Sequence, residues 1–211
     1  MDTFQKALII LNGNQPPLEL VQQFWNQVDC RVCADGAANY LKEYDLAPDI
    51  IIGDFDSISP DISSTFPDTQ IIKDPDQNST DAEKALNFCV QEGFLDITIL
   101  GALGRRLDHT LYNVSLLKTF KNKTESITIY SQEDKIVLID SEHVFNETAG
   151  TRISLMPVYG DATSVVTRGL KYPLTGETLE FGVFSSPSNE FEIDEATIKI
   201  GKGDLLVVID R

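Results

Sequence analysis

Hydrophobic positions follow two different rhythms along the chain. Up to about residue 125, short apolar runs at Ala7–Leu11, Arg31–Ala34, Ile50–Ile52, Gln70–Ile72 and Ile97–Leu100 alternate with stretches of helical period. The runs are rich in Ile, Leu and Val, the pattern of strands covered on both faces. Helices are predicted between them at Leu18–Val28, Ala37–Tyr44, Asp81–Gln91 and Asp108–Phe120. The first follows Pro16-Pro17, and the third opens on a capping box, Thr80-Asp-Ala-Glu83, with an aspartate in its first turn. Alternation of this kind implies a mainly parallel sheet joined by right-handed helical crossovers.

From about Ser126 the helical period disappears. The apolar runs are now Ile127–Tyr130, Ile136–Ile139, Arg152–Val158, Thr163–Thr167, Phe191–Ile200 and Leu205–Ile209, broken by Gly160, Gly169, Pro173, Gly176, Pro187 and Gly201. Short strands punctuated in this way suggest a small antiparallel sandwich. The expected organisation is an α/β domain with Rossmann-like layers over residues 1–125, followed by an all-β sandwich over 126–211.

Composition narrows the function classes. The 211 residues are 42% hydrophobic and 24% charged, ordinary values for a chain with a packed core. With 17 Lys and Arg against 33 Asp and Glu, the formal charge is −16, and no basic cluster exists to neutralise a nucleic-acid backbone. No apolar run approaches the ~18–20 residues that span a bilayer. The opening segment MDTFQKALIILNG has too short an apolar core for a secretory leader. A cytoplasmic location without nucleic-acid or membrane partners is therefore expected. Cys30-Arg-Val-Cys33 matches the C-x-x-C string but lies in a predicted strand. Residues three apart there face opposite ways, roughly 10 Å from one another, so these cysteines read as buried small hydrophobes.

The acidic residues are unevenly placed. From Asp35 to Asp81 there are eleven Asp or Glu and two bases, Lys42 and Lys73. Asn12-Gly13-Asn14 follows the first predicted strand, Asp35-Gly36 the second, Gly53-Asp54-Phe-Asp56 the third, Asp74 to Asp81 the fourth, and Gly101 the fifth. In a parallel sheet these loops share the carboxyl edge, where open α/β sheets bind ligands. Asp54 and Asp56, two apart on an extended segment, project to the same side and repel unless neutralised. Mg²⁺ held by the two carboxylates answers that repulsion, and an Asx-turn closing the strand is the alternative. Asp81 reads equally as a helix-stabilising first-turn aspartate or as a further ligand. Gly101-Ala-Leu-Gly-Arg-Arg-Leu-Asp108-His109 combines glycines and arginines at a helix start, a composition suited to polyphosphate. His109 is either a base or an ordinary helix-surface histidine.

In order along the chain, Asp35-Gly-Ala-Ala-Asn-Tyr-Leu41, Gly53-Asp-Phe-Asp-Ser-Ile58, Asp74-Pro-Asp-Gln-Asn-Ser-Thr-Asp81 and Arg106-Leu-Asp-His109 resemble the successive signatures of the thiamine pyrophosphokinase (thiamine diphosphokinase) family. Gly169-Leu-Lys-Tyr-Pro-Leu174 and Ser188-Asn-Glu190 resemble those of its thiamine-binding β domain. One position departs from the pattern: Arg105 stands where the family usually has the second glycine of Gly-Gly-Arg.

The resemblance implies transfer of diphosphate from ATP to the hydroxyl of thiamine, giving thiamine diphosphate and AMP. It further implies Mg²⁺ on Asp54, Asp56 and Asp81, with Asp108 as a fourth acid, in the second shell or accepting the hydroxyl proton. Asn12, Gly13, Asp35, Asn39 and Arg106 fall on the ATP side, and Gln77, Thr80, Ser188 and Asn189 are expected to contact substrate. A homodimer is also implied. The rival readings are another Mg²⁺-dependent phosphoryl-transfer enzyme, such as a phosphatase or small-alcohol kinase, and a non-catalytic nucleotide or thiamine sensor.

Overall fold

The computed structural model describes residues 5–55 and 61–211, which divide into two compact units, one ending at Gln132 and the other beginning at Glu133. In the first unit, β1 (Gln5–Ile10), β2 (Cys30–Ala34), β3 (Ile50–Gly53), β4 (Gln70–Lys73), β5 (Phe94–Leu100) and β6 (Ser126–Tyr130) form a sheet in the order β6-β5-β1-β2-β3-β4. Every pairing within it is parallel. The helices are α1 (Leu18–Trp25), α2 (Ala38–Glu43), α3 (Ile62–Thr65), α4 (Asp81–Gln91) and α5 (Leu107–Phe120). Leu8, Ile10, Cys33 and Ile51 turn one face of the sheet to Leu20, Val21, Leu41 and Ile62 of α1, α2 and α3. Alternation puts Ala7 and Ile9 on the other face, where α4 crosses β1, β2, β3 and β5 with Ala85, Leu86 and Cys89 buried. Each such large aliphatic side chain contributes roughly 1.5–3 kcal/mol of burial free energy.

The connection from β1 runs to β2, whereas α4 returns the chain to β5 on the other side of β1. The sheet therefore reverses direction between β1 and β5. Such a switch point leaves a crevice at the carboxyl ends of the strands.

Two strands of this unit differ from the sequence expectation. Gln70–Lys73 is not covered on both faces: it is the edge strand beside β3, with Ile71 40% exposed. Gln70 and Lys73 are the polar residues that keep such an edge from pairing further. Ser126–Tyr130 does not open the antiparallel half. It pairs parallel with β5, Ile127 beside Ile97 and Ile129 beside Ile99, so the first unit extends to Gln132. The α5 crossover returns it to the same sheet, and Tyr130 meets Phe24 of α1 with ring centroids 4.7 Å apart.

The second unit is an antiparallel β sandwich. Strands β7 (Asp134–Ile139), β9 (Arg152–Met156), β12 (Ser186–Glu190) and β14 (Leu205–Asp210) lie in the order β12-β9-β14-β7. Strands β8 (His143–Asn146), β10 (Ala162–Arg168), β11 (Thr175–Leu179) and β13 (Glu195–Lys199) form the facing sheet, β11-β10-β13-β8. Ile153, Leu155, Val165, Leu179, Ile198 and Val207 fill the space between them. The predicted run Phe191–Ile200 is interrupted. Asp194 accepts the Ala149 N–H on its carboxylate and the Glu147 N–H on its carbonyl, which turns the chain before β13.

Candidate active site

The loops after β1, β2, β3, β4 and β5, together with the start of α4, enclose a cavity of about 420 Å³ at the switch point. Asn12, Gly13, Asp35, Asp54, Gln77, Thr80, Asp81, Lys84, Arg105, Arg106 and His109 all line it. The sheet order sorts these groups by charge. Carboxylates come from the loops after β2, β3 and β4 and from the start of α4, which also carries Lys84, and guanidinium groups come from the loop after β5.

On the acidic side, Asp35 is 3% exposed and sits at φ 38°, in the left-handed region, where the chain leaves β2. Gly53 lets the neighbouring strand approach it. A Cβ on Gly53 would lie 2.8 Å from Asp35 Cβ and 3.3 Å from Asp81 Oδ1, so the two carboxylate-bearing residues flank one bare backbone position. Asp54 follows directly, and its Oδ2 accepts from Gln77 Nε2 at 3.1 Å. Thr80 caps α4 by accepting the Glu83 N–H at 3.3 Å, which fixes Asp81 at the helix start. The capping box is built on that side, while the Glu83 carboxylate accepts from the Tyr112 hydroxyl at 2.8 Å. Asp76 accepts from Asn78 N, Asn78 Nδ2 and Ser79 Oγ, and these bonds hold its carboxyl below the usual range and its loop in shape.

On the basic side the loops after β1 and β5 are zipped together. Gly13 N–H donates to Gly101 O at 2.8 Å, and Asn14 N–H to Leu103 O at 2.7 Å. A Cβ on Gly13 would stand 2.3 Å from Gly101 O, so only glycine permits this approach. Arg105 adopts φ 56° and gives its N–H to Asn14 Oδ1 at 3.2 Å. Its side chain donates from Nη1 to Asn12 Oδ1 at 3.0 Å and lies 5.5 Å above the Tyr40 ring. Arg106 donates twice to Asp108, from Nε at 3.1 Å and from Nη2 at 2.5 Å. That pair holds the Asp108 carboxyl at about 2.

Several expected site residues are placed differently. Asp56 lies outside the described residues. Asp108 is outside the cavity lining, with its side chain 65% exposed and turned to Arg106. Asn39 is half-buried in α2 and also outside the lining. Ser188 and Asn189 belong to the second unit. Ser188 is exposed, and its N–H donates to Ser154 Oγ. Asn189 is 1% exposed and uses its whole amide internally: it accepts from Tyr172 N and Glu190 N and donates to Tyr172 O and Ser186 Oγ.

Lys84 is the residue that sequence reasoning missed. It is 5% exposed, its Nζ donates to Asp74 O at 2.9 Å, and it stands 3.7 Å from Asp81 Oδ1. The available signal was its position one turn beyond Asp81, on the same helix face. The three cysteines are buried and unbridged, and burial raises the thiol of Cys30 to about 11.

The donor set fits a hard cation better than a transition metal. Among the described residues there is no group of three or more His, Cys, Asp or Glu arranged to hold a metal ion by themselves. The cavity instead presents Asp35, Asp54 and Asp81 as separate oxygen donors. Mg²⁺ takes only one or two carboxylates, with phosphate oxygens and water completing its shell.

Known proteins match the chain over nearly its full length. The family model described as thiamin pyrophosphokinase, catalytic domain, matches residues 21–130, and that described as thiamin pyrophosphokinase, vitamin B1 binding domain, matches residues 138–205. Thiamin pyrophosphokinase 1 of Caenorhabditis elegans is 30% identical, over 94% of this chain and 86% of its own. Thiamine pyrophosphokinase 1 of Oryza sativa is 29% identical, over 92% and 82%. The crystal structure of thiamin pyrophosphokinase from Geobacillus thermodenitrificans superposes with a TM-score of 0.86 at 26% identity, covering 98% of both chains. Yeast thiamin pyrophosphokinase shares the fold, with a TM-score of 0.87 at 23% identity, covering 100% of this chain and 87% of its own. The chain belongs to the thiamin pyrophosphokinase family, the enzymes that form thiamine diphosphate from thiamine.

Proposed function

We propose that this chain transfers the diphosphate of ATP as a unit to the hydroxyethyl oxygen of thiamine, releasing AMP. The observation that carries the reading is a single cavity, at the switch point of a parallel sheet, lined by Asp35, Asp54 and Asp81 on one side and Arg105 and Arg106 on the other. A triphosphate needs its charge offset and its β-phosphorus held in line with the attacking oxygen. Asp54 and Asp81, with Asp56, would hold Mg²⁺, which would supply positive charge to offset the phosphates. Asn12, Gly13 and Asp35 form the nucleotide wall, and Gln77 and Thr80 are hydrogen-bonding groups beside the transferring phosphates. Thiamine carries a fixed thiazolium charge, which the acidic cavity attracts.

Thiamine recognition is assigned to the second unit, with Ser188 as a contact and Asn189 as the bracket that shapes the strand carrying it. A homodimer in the cytoplasm is the expected assembly and location. Among the described residues no helix is long and apolar enough to cross a membrane.

Incubation of the purified protein with ATP, Mg²⁺ and thiamine, followed by separation of the nucleotides, tests the reading. AMP and thiamine diphosphate in equal amounts are expected. Release of ADP or inorganic phosphate in place of AMP points to a kinase or phosphatase. Binding of nucleotide or thiamine with no turnover points to a sensor.

A further inference from the structure

Arg105 is a charged side chain on a backbone position that favours glycine. Its φ of 56° lies in the left-handed region, which costs most L-residues conformational energy. Positions like this persist where the surrounding structure needs the residue, and they cluster at ligand sites. The side chain is held against the cavity wall by Asn12 Oδ1 at 3.0 Å and by the face of Tyr40 at 5.5 Å. Tyr40 is itself anchored, with its hydroxyl 2.9 Å from Asn12 Oδ1 and 2.8 Å from Gly13 O. Of the five guanidinium N–H groups, the bond to Asn12 takes one among the described residues. Neighbouring Arg106 is differently placed, because its Nε and Nη2 are both given to Asp108.

We propose that Arg105 is a binding residue for the triphosphate of the nucleotide, a second guanidinium beside Arg106, and that its left-handed backbone is retained for that contact. The inference rests on the ATP reading above and deepens it. The planar fork matches phosphate oxygens, and its immobilisation on Tyr40 lowers the entropy lost on binding.

The test measures the affinity of wild type, Arg105→Gly and Arg105→Gln for α,β-methylene-ATP, whose bridging carbon blocks diphosphate transfer, alongside thermal unfolding of each. Arg105→Gly is expected to unfold at the same or a higher temperature, because glycine relieves the backbone, while the dissociation constant rises about ten- to a hundred-fold, the size of one lost charge-assisted contact. Arg105→Gln keeps the backbone demand without the charge and is expected to weaken binding equally. The KM for thiamine should not move. Unchanged nucleotide affinity in both variants, with a lower unfolding temperature for Arg105→Gly, overturns the proposal and makes Arg105 a clamp on Asn12 and Tyr40 alone. Wild-type protein that binds no α,β-methylene-ATP overturns the ATP reading itself, a result distinct from loss confined to the variants.

Discussion

The ammonium of Lys84 stands 3.7 Å from the carboxylate of Asp81, one helical turn away, and shares a bond of 2.9 Å with the Asp74 carbonyl. This buried cation joins the cap of α4 to the loop that carries Gln77. It also supplies positive charge beside an acidic cluster in a strongly acidic chain.

Lys84→Met keeps the volume and removes the charge. The Asp74 carbonyl loses its buried donor, a penalty of about 1–3 kcal/mol. Urea unfolding should therefore show a lower midpoint with an unchanged slope, and added Mg²⁺ should recover part of the loss by offsetting the charge near Asp81. A midpoint equal to wild type would show that Lys84 does not hold this loop.

The pair formed by Arg106 and Asp108 makes a pH prediction. The Asp108 carboxyl is lowered from its ordinary range to about 2, mainly by the Arg106 hydrogen bond. A depressed carboxyl contributes stability above its unfolded value, near 4, and the contribution disappears as pH falls from about 4 to about 2. Asp108 is then ionised across the whole working range and too weak a base to produce an inflection. The pH profile of kcat/KM should show no step that Asp108→Asn removes between pH 5 and 9.

Asn189 separates a folding role from a binding role. Replacement by Ala leaves Tyr172 N, Tyr172 O and Glu190 N without the partner that now serves all three. Stability should fall by at least the roughly 1–3 kcal/mol expected for one such buried group. Because Asn189 shapes the strand that carries Ser188, the KM for thiamine should rise together with the loss of stability. A raised KM at unchanged stability would return Asn189 to the substrate.

Much of the first unit was legible because its signals are local. The Thr80 cap placed α4 at Asp81–Gln91, matching the structure. The buried runs at β1, β2, β3 and β5 were found to within three residues at either end. Strand β4 reads as internal because Ile71 and Ile72 are apolar, whereas the lack of a further strand beside them among the described residues is a property of the whole sheet. Ser126–Tyr130 reads as the start of the antiparallel half for a similar reason, whereas it pairs parallel with β5. Its composition suits either kind of sheet, and only the α5 crossover decides. Strands β8, β11 and β12 are short and polar, as in Thr-Gly-Glu-Thr-Leu, and carry little hydrophobic signal.

At the site, loop order along the chain was enough to bring Asp35, Asp54 and Asp81 to one edge. Lys84 escaped notice because a lysine in a helix normally faces water, and its burial depends on the loop folded over it. The Arg106 bond to Asp108 was equally hidden, since residues two apart meet only where the chain turns into a helix.

Replacing Asp54 and Asp81 by Asn, singly, tests most directly that these carboxylates serve diphosphate transfer. Each variant keeps the side-chain shape, so the unfolding free energy from urea titration should stay within about 0.5 kcal/mol of wild type for Asp54→Asn. It should fall by about 1 kcal/mol for Asp81→Asn, which loses the first-turn charge beside Lys84. Formation of thiamine diphosphate should fall at least about a hundred-fold, the usual scale for losing one electrostatic group in a transfer site. Folded variants that form thiamine diphosphate and AMP at the wild-type rate would contradict the account.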